Sequence, residues 1–352
     1  RYFVDGNWVD KGIRFDDVNG DGLTDILESF LNGSATNGST YLNNGSGWVS
    51  NTTWISPELF FKDGLNIARR IVDVNGDGFG DISVSIEAGK EITWTRNQSI
   101  PFLLKQVTTA YGGVTQINYT SSSVFNNSEN GISELGFTIF VVRNATSLNG
   151  VNNDFTVNSM TLYNYSFGKY DYNNSEFRGF GLVREAKPAA AVMHYFHQDK
   201  ARKGKEHRTE VSDGTKNYTL VVNGFGFTEL NGVFNATPVS EGIYNVTLEF
   251  SSVYRYDGSN TTFVTNTSYD YDSFDYVVGM HELGDVNAAG DERFTNYSYA
   301  FDREDWIVDK ISRQRVYNSD GTKVKEALFH YDHLGLNGIG SRGSLTKKED
   351  WN

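Results

Sequence analysis

The chain contains no cysteine in its 352 residues, and it has only four prolines and three methionines. Without cysteine, neither disulfides nor thiolate metal sites are possible. No apolar run approaches the roughly 20 residues of a membrane-spanning helix. The longest run, residues 137–142, is typical of a buried strand. The sequence starts at Arg1 without a signal peptide, and we expect no membrane span in this segment.

Basic residues are also few. The chain has 31 Lys and Arg against 44 Asp and Glu, which gives a formal net charge of −13. A protein that binds nucleic acid needs a basic surface, so we expect no nucleic-acid partner. The abundant residues are those of strands and turns, with 24 Phe, 20 Tyr and 36 Gly. Aromatic residues favour strands and Gly favours tight turns, so the composition predicts an all-β fold.

Two nearly identical loops, residues 17–25 and 73–81, follow the pattern D-x-N-x-D-G-x-x-D. The pattern places side-chain oxygens at loop positions 1, 3, 5 and 9, and a Gly at position 6 for a sharp turn. Ca²⁺ takes six to eight oxygens at roughly 2.3–2.6 Å, and the position-7 carbonyl completes such a set. The predicted ligands of two structural Ca²⁺ sites are Asp17, Asn19, Asp21, Leu23 and Asp25, and Asp73, Asn75, Asp77, Phe79 and Asp81.

The two loops lie 56 positions apart and mark a repeat. Each follows a short strand-like segment and precedes an apolar strand and an aromatic strand. Repeats of this length with four short strands are typical of β-propeller blades. A closed propeller needs at least about four blades. We therefore expect residues 1–100 to form two blades, and the chain to be a piece of a longer protein.

The first loop also fits the EF-hand pattern, because Glu28 occupies position 12. The second loop has Val84 there and runs into a strand sequence, whereas an EF-hand needs a helix on each side. Besides binding structural Ca²⁺, the loops could be empty, or they could hold a cation with a regulatory or ligand-bridging role.

Sequons of the form N-x-[S/T] occur sixteen times among 34 asparagines, where chance predicts about six. One interpretation is that Asn, Ser and Thr simply share loops. The other is N-glycosylation of a secreted or cell-surface protein. The candidate sites are Asn32, Asn37, Asn44, Asn51, Asn97, Asn118, Asn126, Asn144, Asn164, Asn173, Asn217, Asn235, Asn245, Asn260, Asn266 and Asn296.

Residues 101–250 alternate strand-like segments with Gly and Asn clusters. Within them, residues 199–208 form a basic patch that we interpret as a solvated hairpin loop, with an anionic partner as the alternative. Residues 251–352 repeat Tyr-Asp-like strand ends. Tyr side chains two residues apart share one face of a strand. We therefore expect consecutive hairpins that stack these side chains on a continuous sheet.

Motifs for catalysis are weak throughout the chain. Residues 281–285 lack the second His of a zinc-protease motif, and residues 338–343 match G-x-G-x-x-G without a visible βαβ unit. His194 and His197 lie near Asp199 and could form a metal pair, although strand and turn positions explain them as well. We expect no enzyme.

Taken in order, these segments resemble the B component of bacterial Tc toxin complexes and the wider Rhs (YD-repeat) proteins. The Asp loops look like that family's FG-GAP/VCBS propeller blades, and residues 176–181, Glu-Phe-Arg-Gly-Phe-Gly, resemble a family signature. Further similar segments are residues 101–120, 195–199, 208–211, 306–308, 331–335 and 343–346. Residues 101–250 then resemble the toxin-B middle region, and residues 251–352 the Rhs hairpins.

The resemblance implies a cocoon- or tube-like shell of YD strands that encloses a toxic C-terminal polypeptide, with a propeller that docks on a translocation pore. Our leading hypothesis is a non-enzymatic extracellular structural segment of a shell, tube or surface appendage. It would be stabilised by Ca²⁺, N-glycosylated, and in contact with further segments of its own chain or copies of itself. The alternatives are a toxin-delivery cocoon with a Tc-like pore or Rhs-core partner, and a Ca²⁺-dependent adhesin or glycan-binding module.

Overall fold

The computed structural model describes residues 2–4, 7–9, 11–32, 35–62, 65–66, 69–87, 90–96, 103–129, 131–149, 157–229, 242–258 and 262–351. In these residues the regular elements are strands, apart from one 3-10 turn at Ser122–Val124. The predicted all-β fold is confirmed. No helix in the described ranges is long and apolar enough to span a membrane.

The chain divides into two compact units. Unit 1 comprises residues 1–126 and 135–160, and unit 2 comprises residues 127–134 and 161–352. The strands up to residue 121 are β1 (Tyr2–Val4), β2 (Asn7–Val9), β3 (Ile13–Asp16), β4 (Asp25–Asn32), β5 (Ala35–Asn43), β6 (Trp48–Asn51), β7 (Phe61–Lys62), β8 (Leu65–Asn66), β9 (Arg69–Val72), β10 (Asp81–Glu87), β11 (Lys90–Trp94), β12 (Gln106–Thr108) and β13 (Val114–Ser121).

The later strands are longer. They are β14 (Ser128–Glu129), β15 (Ile132–Ser133), β16 (Phe140–Leu148), β17 (Val157–Asp171), β18 (Glu176–Ala186), β19 (Ala191–Phe196), β20 (Glu206–Ser212), β21 (Asn217–Glu229), β22 (Tyr244–Tyr256), β23 (Thr262–Tyr271), β24 (Val277–Asp285), β25 (Arg293–Asp302), β26 (Ile307–Asn318), β27 (Lys323–Tyr331) and β28 (Leu345–Trp351).

The two sequence repeats of unit 1 form similar antiparallel sheets. In the first repeat β3, β4, β5 and β6 pair in that order, and β7 joins β4 in parallel through Phe30 and Phe61. In the second repeat β9, β10 and β11 pair in the same way. The predicted strands on both sides of each Asp loop are therefore confirmed. The sheets are open in the described residues, so the propeller itself stays a prediction.

One hydrophobic core joins the two repeats within unit 1. Alternation along β10 turns Ile82 and Val84 inward, where they pack with Val18, Leu27 and Phe60, each at most 3 % exposed. Burying such side chains stabilises the fold by about 1.5–3 kcal/mol each. The core therefore holds the strands that carry the Asp loops in place. In the same unit, β13 pairs with β12 on one side and with β16 on the other.

Unit 2 is built on one antiparallel meander. From β17 to β28, strands that are consecutive in the sequence pair with each other. The continuous sheet of hairpins expected for residues 251–352 is thus confirmed, and it already begins before them. The hairpin predicted for the basic patch is confirmed, because residues 199–208 form the turn and the first part of β20 in the β19–β20 hairpin. Within the patch only residues 203–205 and 208 are exposed, and the others are partly buried.

The Tyr-Asp strand ends have two separable roles. The hydroxyls of Tyr271, Tyr299 and Tyr331 each donate to a backbone carbonyl on the preceding strand, at 2.7, 2.9 and 2.8 Å. The Asp that follows fixes the turn, since Asp272 and Asp302 accept backbone N–H groups from residues two and more positions ahead. Tyr therefore joins neighbouring strands while Asp shapes the turn between them.

Candidate cation-binding loops

Both Asp loops connect two antiparallel strands, β3 to β4 and β9 to β10. The pairs Asp16 with Asp25, and Val72 with Asp81, close the loops at their bases. Because strands flank the loops on both sides, the EF-hand alternative for the first loop is wrong.

The position-1 carboxylate organises each loop. Asp17 accepts the backbone N–H groups of positions 4, 5 and 6 at 2.7, 3.1 and 2.7 Å. Asp73 accepts the same three groups at 2.7, 3.1 and 2.8 Å. The short side chain of Asp can turn back onto its own backbone, which explains why this residue type starts the loop.

Positions 3 and 5 are held against each other. The amide nitrogen of Asn19 donates to Asp21 at 2.8 Å, and the backbone N–H of Asp21 donates to the Asn19 side-chain oxygen at 3.0 Å. Asn75 and Asp77 make the same two bonds, both at 2.9 Å. Each loop therefore holds its side chains at positions 1, 3 and 5 through its own hydrogen bonds.

The position-9 carboxylates are buried and serve the fold. Asp25 and Asp81 are fully buried. Each accepts the N–H of loop position 2, at 2.9 and 3.1 Å, and one N–H from the end of the aromatic strand. These second donors are Asn43 at 2.7 Å and Arg96 at 2.8 Å. Burial raises the pKa of Asp25, although the two N–H groups oppose the shift.

The chemistry of the loops fits a hard cation. Positions 1, 3 and 5 offer two carboxylates and an amide oxygen per loop, and Ca²⁺ takes such oxygens together with backbone carbonyls. In the described part of the chain no three His, Asp or Glu side chains gather as a metal cluster. A cation would therefore depend on this mixed oxygen set. The ten residues predicted as ligands stay a prediction.

The second loop is covered by a distant part of unit 1. The carbonyl oxygen of Gly76 accepts the hydroxyls of Ser121 and Ser123, and the hydroxyl of Thr138 donates to Asp73 at 3.2 Å. These residues lie 45 to 65 positions from their loop partners. No sequence motif indicated them beyond the run of three serines at residues 121–123.

Position 7 differs between the loops for the same reason. Leu23 is 37 % exposed, whereas Phe79 is 4 % exposed and packs against Phe140 with ring centroids 5.6 Å apart.

Arg96 links the two repeats, a role that no motif predicted. Its buried guanidinium lies 4.7 Å from the ring centroids of both Trp54 and Phe79. The same group donates to the carbonyl oxygen of Asp17 at 3.1 Å. Burial lowers the pKa of Arg96 and raises that of Asp16, and the two charges oppose these shifts in each other. Cation–π contacts of this kind contribute about 0.5–2 kcal/mol.

The histidines suspected as a metal pair, His194 and His197, lie in β19 and just after it. His194 pairs with Glu206 at 2.6 Å, while the ring of His197 lies beside that of His207 at 4.6 Å. His197 and Asp199 are 3.8 Å apart, and no metal cluster is present in the described ranges. The two histidines suspected as a metal pair therefore have different partners.

The remaining motifs lie in a turn and in a strand. Residues 338–343 lie in the turn between β27 and β28, where Asp332 accepts the N–H groups of Gly340 and Gly343 at 2.9 Å each. Residues 281–285 belong to β24. The glycine motif is thus a turn, as its lack of a βαβ unit indicated.

The sequons fall into three groups by position. Asn37, Asn44, Asn118, Asn126, Asn173, Asn217 and Asn296 are exposed, and Asn51, Asn144, Asn164, Asn245 and Asn266 are partly buried. Asn97, Asn235 and Asn260 lie outside the described residues, and only the backbone of Asn32 is described. Whether any of them carries a glycan stays a prediction.

The middle of the chain matches a known toxin family. Residues 62–207 match the family model for the middle/N-terminal region of the insecticide toxin TcdB. No curated protein matches the sequence. The match covers the second repeat, the Arg-Gly-Phe-Gly segment and the first strands of the meander. It therefore supports a Tc toxin-like protein.

The fold is also similar to that of particular solved structures. A crystal structure of TcdB2–TccC3 without its hypervariable C-terminal region matches 96 % of this chain at 13 % identity, with a TM-score of 0.68. A Photorhabdus luminescens Tc holotoxin pore matches 97 % at 14 % identity, also with a TM-score of 0.68. This chain covers 22 % of either solved chain. At such identity the likeness establishes the fold, which is Tc toxin-like.

Proposed function

We propose that this chain is a non-enzymatic wall segment of an extracellular Tc-like shell. The observation that carries the proposal is the unbroken meander from β17 to β28, which has the fold of part of the TcdB2–TccC3 structures. A meander in which every strand adds to the last can extend a wall by repetition. The weak catalytic motifs of the sequence, which form turns and strands, agree with a structural role.

The partners in this proposal are further strands. Within the described residues β28 pairs with β27 alone, so its other edge exposes unpaired N–H and C=O groups. Such an edge is a template for another strand. The partner strand would come from further segments of the same chain or from another copy of it.

We further propose that Ca²⁺ binds both Asp loops and stabilises unit 1. Positions 1 and 5 of each loop both carry a carboxylate, and the backbone N–H of position 5 donates to the position-1 carboxylate. A bound cation would offset these negative charges. A cation that binds only the folded loop stabilises the fold by mass action.

A second candidate function is favoured by the names of the solved relatives. One solved relative is named as TcdB2–TccC3, and another as a Tc holotoxin pore. By analogy the shell would enclose an effector polypeptide and dock on a Tc-like pore. This candidate shares the wall role and adds a cargo and a pore partner.

Electron cryo-microscopy of the assembled gene product tests both candidates. A closed shell with density inside supports delivery of a cargo, and an empty shell or tube supports the wall role alone. A product that remains a lone domain at all concentrations would contradict both. The full gene sequence provides a second test, because delivery requires an Rhs-type core and a C-terminal effector region.

A further inference from the structure

The sequon asparagines within the strands of unit 2 lie on the same face of the sheet. Successive side chains of a strand alternate between faces, and directly paired residues share a face. The register can therefore be followed from one strand to the next. The strand sequons in the described part of unit 2 are Asn164, Asn217, Asn245, Asn266 and Asn296.

The register places the first of these asparagines on a common face. Asn164 shares a face with Leu220 on β21, because each residue pairs directly with the next in the series Asn164, Arg184, Met193, Glu210 and Leu220. Asn217 reaches the same face through Ser212, Ala191, Ala186 and Leu162. Its odd spacing from Leu220 on β21 is offset by a β-bulge between Asn217 and Thr219. Thr228, eight residues after Leu220 on β21, pairs with Asn245.

The path continues to the last strands. Leu220 pairs with Tyr254 and Tyr254 with Val264, two residues before Asn266. Asp270 pairs with Gly279, which pairs with Asn296. All five asparagines thus lie on one face, which we call the sequon face. Independent placement would give this result about one time in sixteen, because each strand residue has two possible faces.

The sequon face also carries ion pairs. His281 contacts Asp270 at 2.8 Å, Arg315 contacts Glu326 at 2.7 Å, and Glu349 contacts His330 at 3.0 Å. The register assigns these residues to the sequon face through the pairs Ser268 with His281, Asn296 with Arg315, and Leu328 with Glu349. Charged pairs of this kind suit a face in contact with water.

Buried side chains lie on both faces of these strands. Ala300 and Ser252, 1 and 9 % exposed, lie on the sequon face, and a larger group lies on the opposite face. Thr295, Val316, Ala327 and Phe227 are 3, 9, 2 and 5 % exposed and lie there. Exposure of the sequons themselves is graded. Asn217 and Asn296 are exposed, whereas the side-chain oxygen of Asn266 is buried without a hydrogen-bond partner in the described residues.

We infer that the sequon face is the outer, N-glycosylated face of the wall, and that the opposite face is turned inward. The inference rests on the proposed wall role and on the N-glycosylation predicted from the sequence, and it adds the sites and the orientation. In the modification, the Asn amide nitrogen attacks C1 of the sugar in a lipid-linked oligosaccharide diphosphate. An N–C bond forms, the C1–O bond breaks, the lipid diphosphate leaves, and the amide loses one proton to a base of the transferase.

Site mapping of the gene product from a glycosylating host tests the modification. Glycosidase release in heavy-oxygen water followed by peptide mass spectrometry gives occupancy at each site. We expect the highest occupancy at Asn217 and Asn296, and the lowest at Asn266. If none of the five asparagines is occupied in the folded product, the modification is overturned.

Arg293→Asn provides a matched control on the same strand, β25. It creates the sequon Asn-Phe-Thr at residues 293–295, with its Asn on the opposite face from Asn296, since Arg293 pairs with Glu282 and Thr295 with Met280. We expect folded Arg293→Asn product to carry no glycan at this position. A folded, assembled product fully glycosylated there would overturn the inward orientation.

Cysteine labelling tests the orientation without glycans, because the chain contains no native cysteine. In assembled product from a host that does not glycosylate, Asn296→Cys should react with a bulky maleimide at least about tenfold faster than Arg293→Cys. Both should react alike in denaturant. Equal rates in the assembled product would overturn the orientation, whatever the shape seen by microscopy or the occupancy of the sequons.

Discussion

The two Asp loops have the same internal hydrogen bonds, but the residues that surround them differ. Both use the position-1 carboxylate to hold three backbone N–H groups and the position-9 carboxylate to hold two more. The first loop is open to solvent at position 7, whereas the second is covered by Phe140, Thr138 and the serines at the end of β13 and just after it. The nine-residue pattern thus determines the inner bonds, and the surrounding fold determines how firmly they are held.

Removing the position-9 carboxylates should have the largest effect and should affect both loops equally. Asp25→Ala and Asp81→Ala each leave two N–H groups without their acceptor, at about 1–3 kcal/mol for each buried group. We expect a loss of about 2–6 kcal/mol in the unfolding free energy of unit 1, measured by urea denaturation with Trp fluorescence. Asp21→Ala and Asp77→Ala are the matched controls and should cost less than about 1.5 kcal/mol. A position-9 variant as stable as its control would contradict the role as a buried anchor.

Calcium should separate the loops by affinity. At a free concentration of about 100 Kd a bound ion stabilises a fold by about 2.7 kcal/mol, so a chelator should lower the melting temperature. Titration calorimetry should give two sites, of which Asp73→Asn removes the tighter and Asp17→Asn the weaker. The second loop should bind more tightly because its cover holds the ligands in place. Excess Mg²⁺ in place of Ca²⁺ is the control, and an unchanged melting temperature with chelator would remove the structural-calcium proposal.

Glycine at position 6 offers a sharper test of the difference between the loops. Gly22 and Gly78 have φ values of +86° and +89°, where a side chain costs about 1–2 kcal/mol. A Cβ on Gly22 meets nothing within 4 Å, while one on Gly78 would lie 2.9 Å from the ring of Phe140. Gly78→Ala should therefore cost about 1–3 kcal/mol more than Gly22→Ala in urea denaturation. In a Phe140→Leu background the two glycine variants should differ less in unfolding free energy. If they cost the same in the native background, the ring of Phe140 does not restrict position 6 of the second loop.

Protonation of the histidines should have the smallest effect, and it should leave the Asp loops unchanged. All six histidines lie in unit 2. Burial and nearby arginines lower the pKa of His197 and His207. The unfolded chain then takes up protons first, so stability is lost as pH falls from the ordinary pKa of about 6.5 through the lowered folded pKa. NMR titration should show both rings titrating below that value, and His207→Gln should reduce the acid sensitivity of unit 2. A pKa above about 6.5 for either ring would reverse the sign of this prediction.

Local pattern was enough to predict much of the fold. Strand alternation and the turn residues correctly placed the segments around the Asp loops, and the Tyr-Asp ends correctly indicated hairpins in a continuous sheet. Contacts between residues that are distant in the sequence could not be predicted. That Thr138 would cover Asp73, or that Arg96 would bond to Asp17, depends on packing between residues 65 and 79 positions apart. The common face of the sequons depends on register, since each β-bulge shifts the pairing by a residue.

The strand-by-strand meander of unit 2 has a consequence for how the chain acquires its structure. Each new strand needs only the preceding one as its template, so most pairings join residues close in sequence. Folds with such low contact order form quickly, because short loops cost little entropy to close. During synthesis at about 5–20 residues per second, strands such as β26 and β27 can pair soon after they leave the ribosome. The sheet can thus grow in the order of translation, with each strand edge covered by the next strand to emerge.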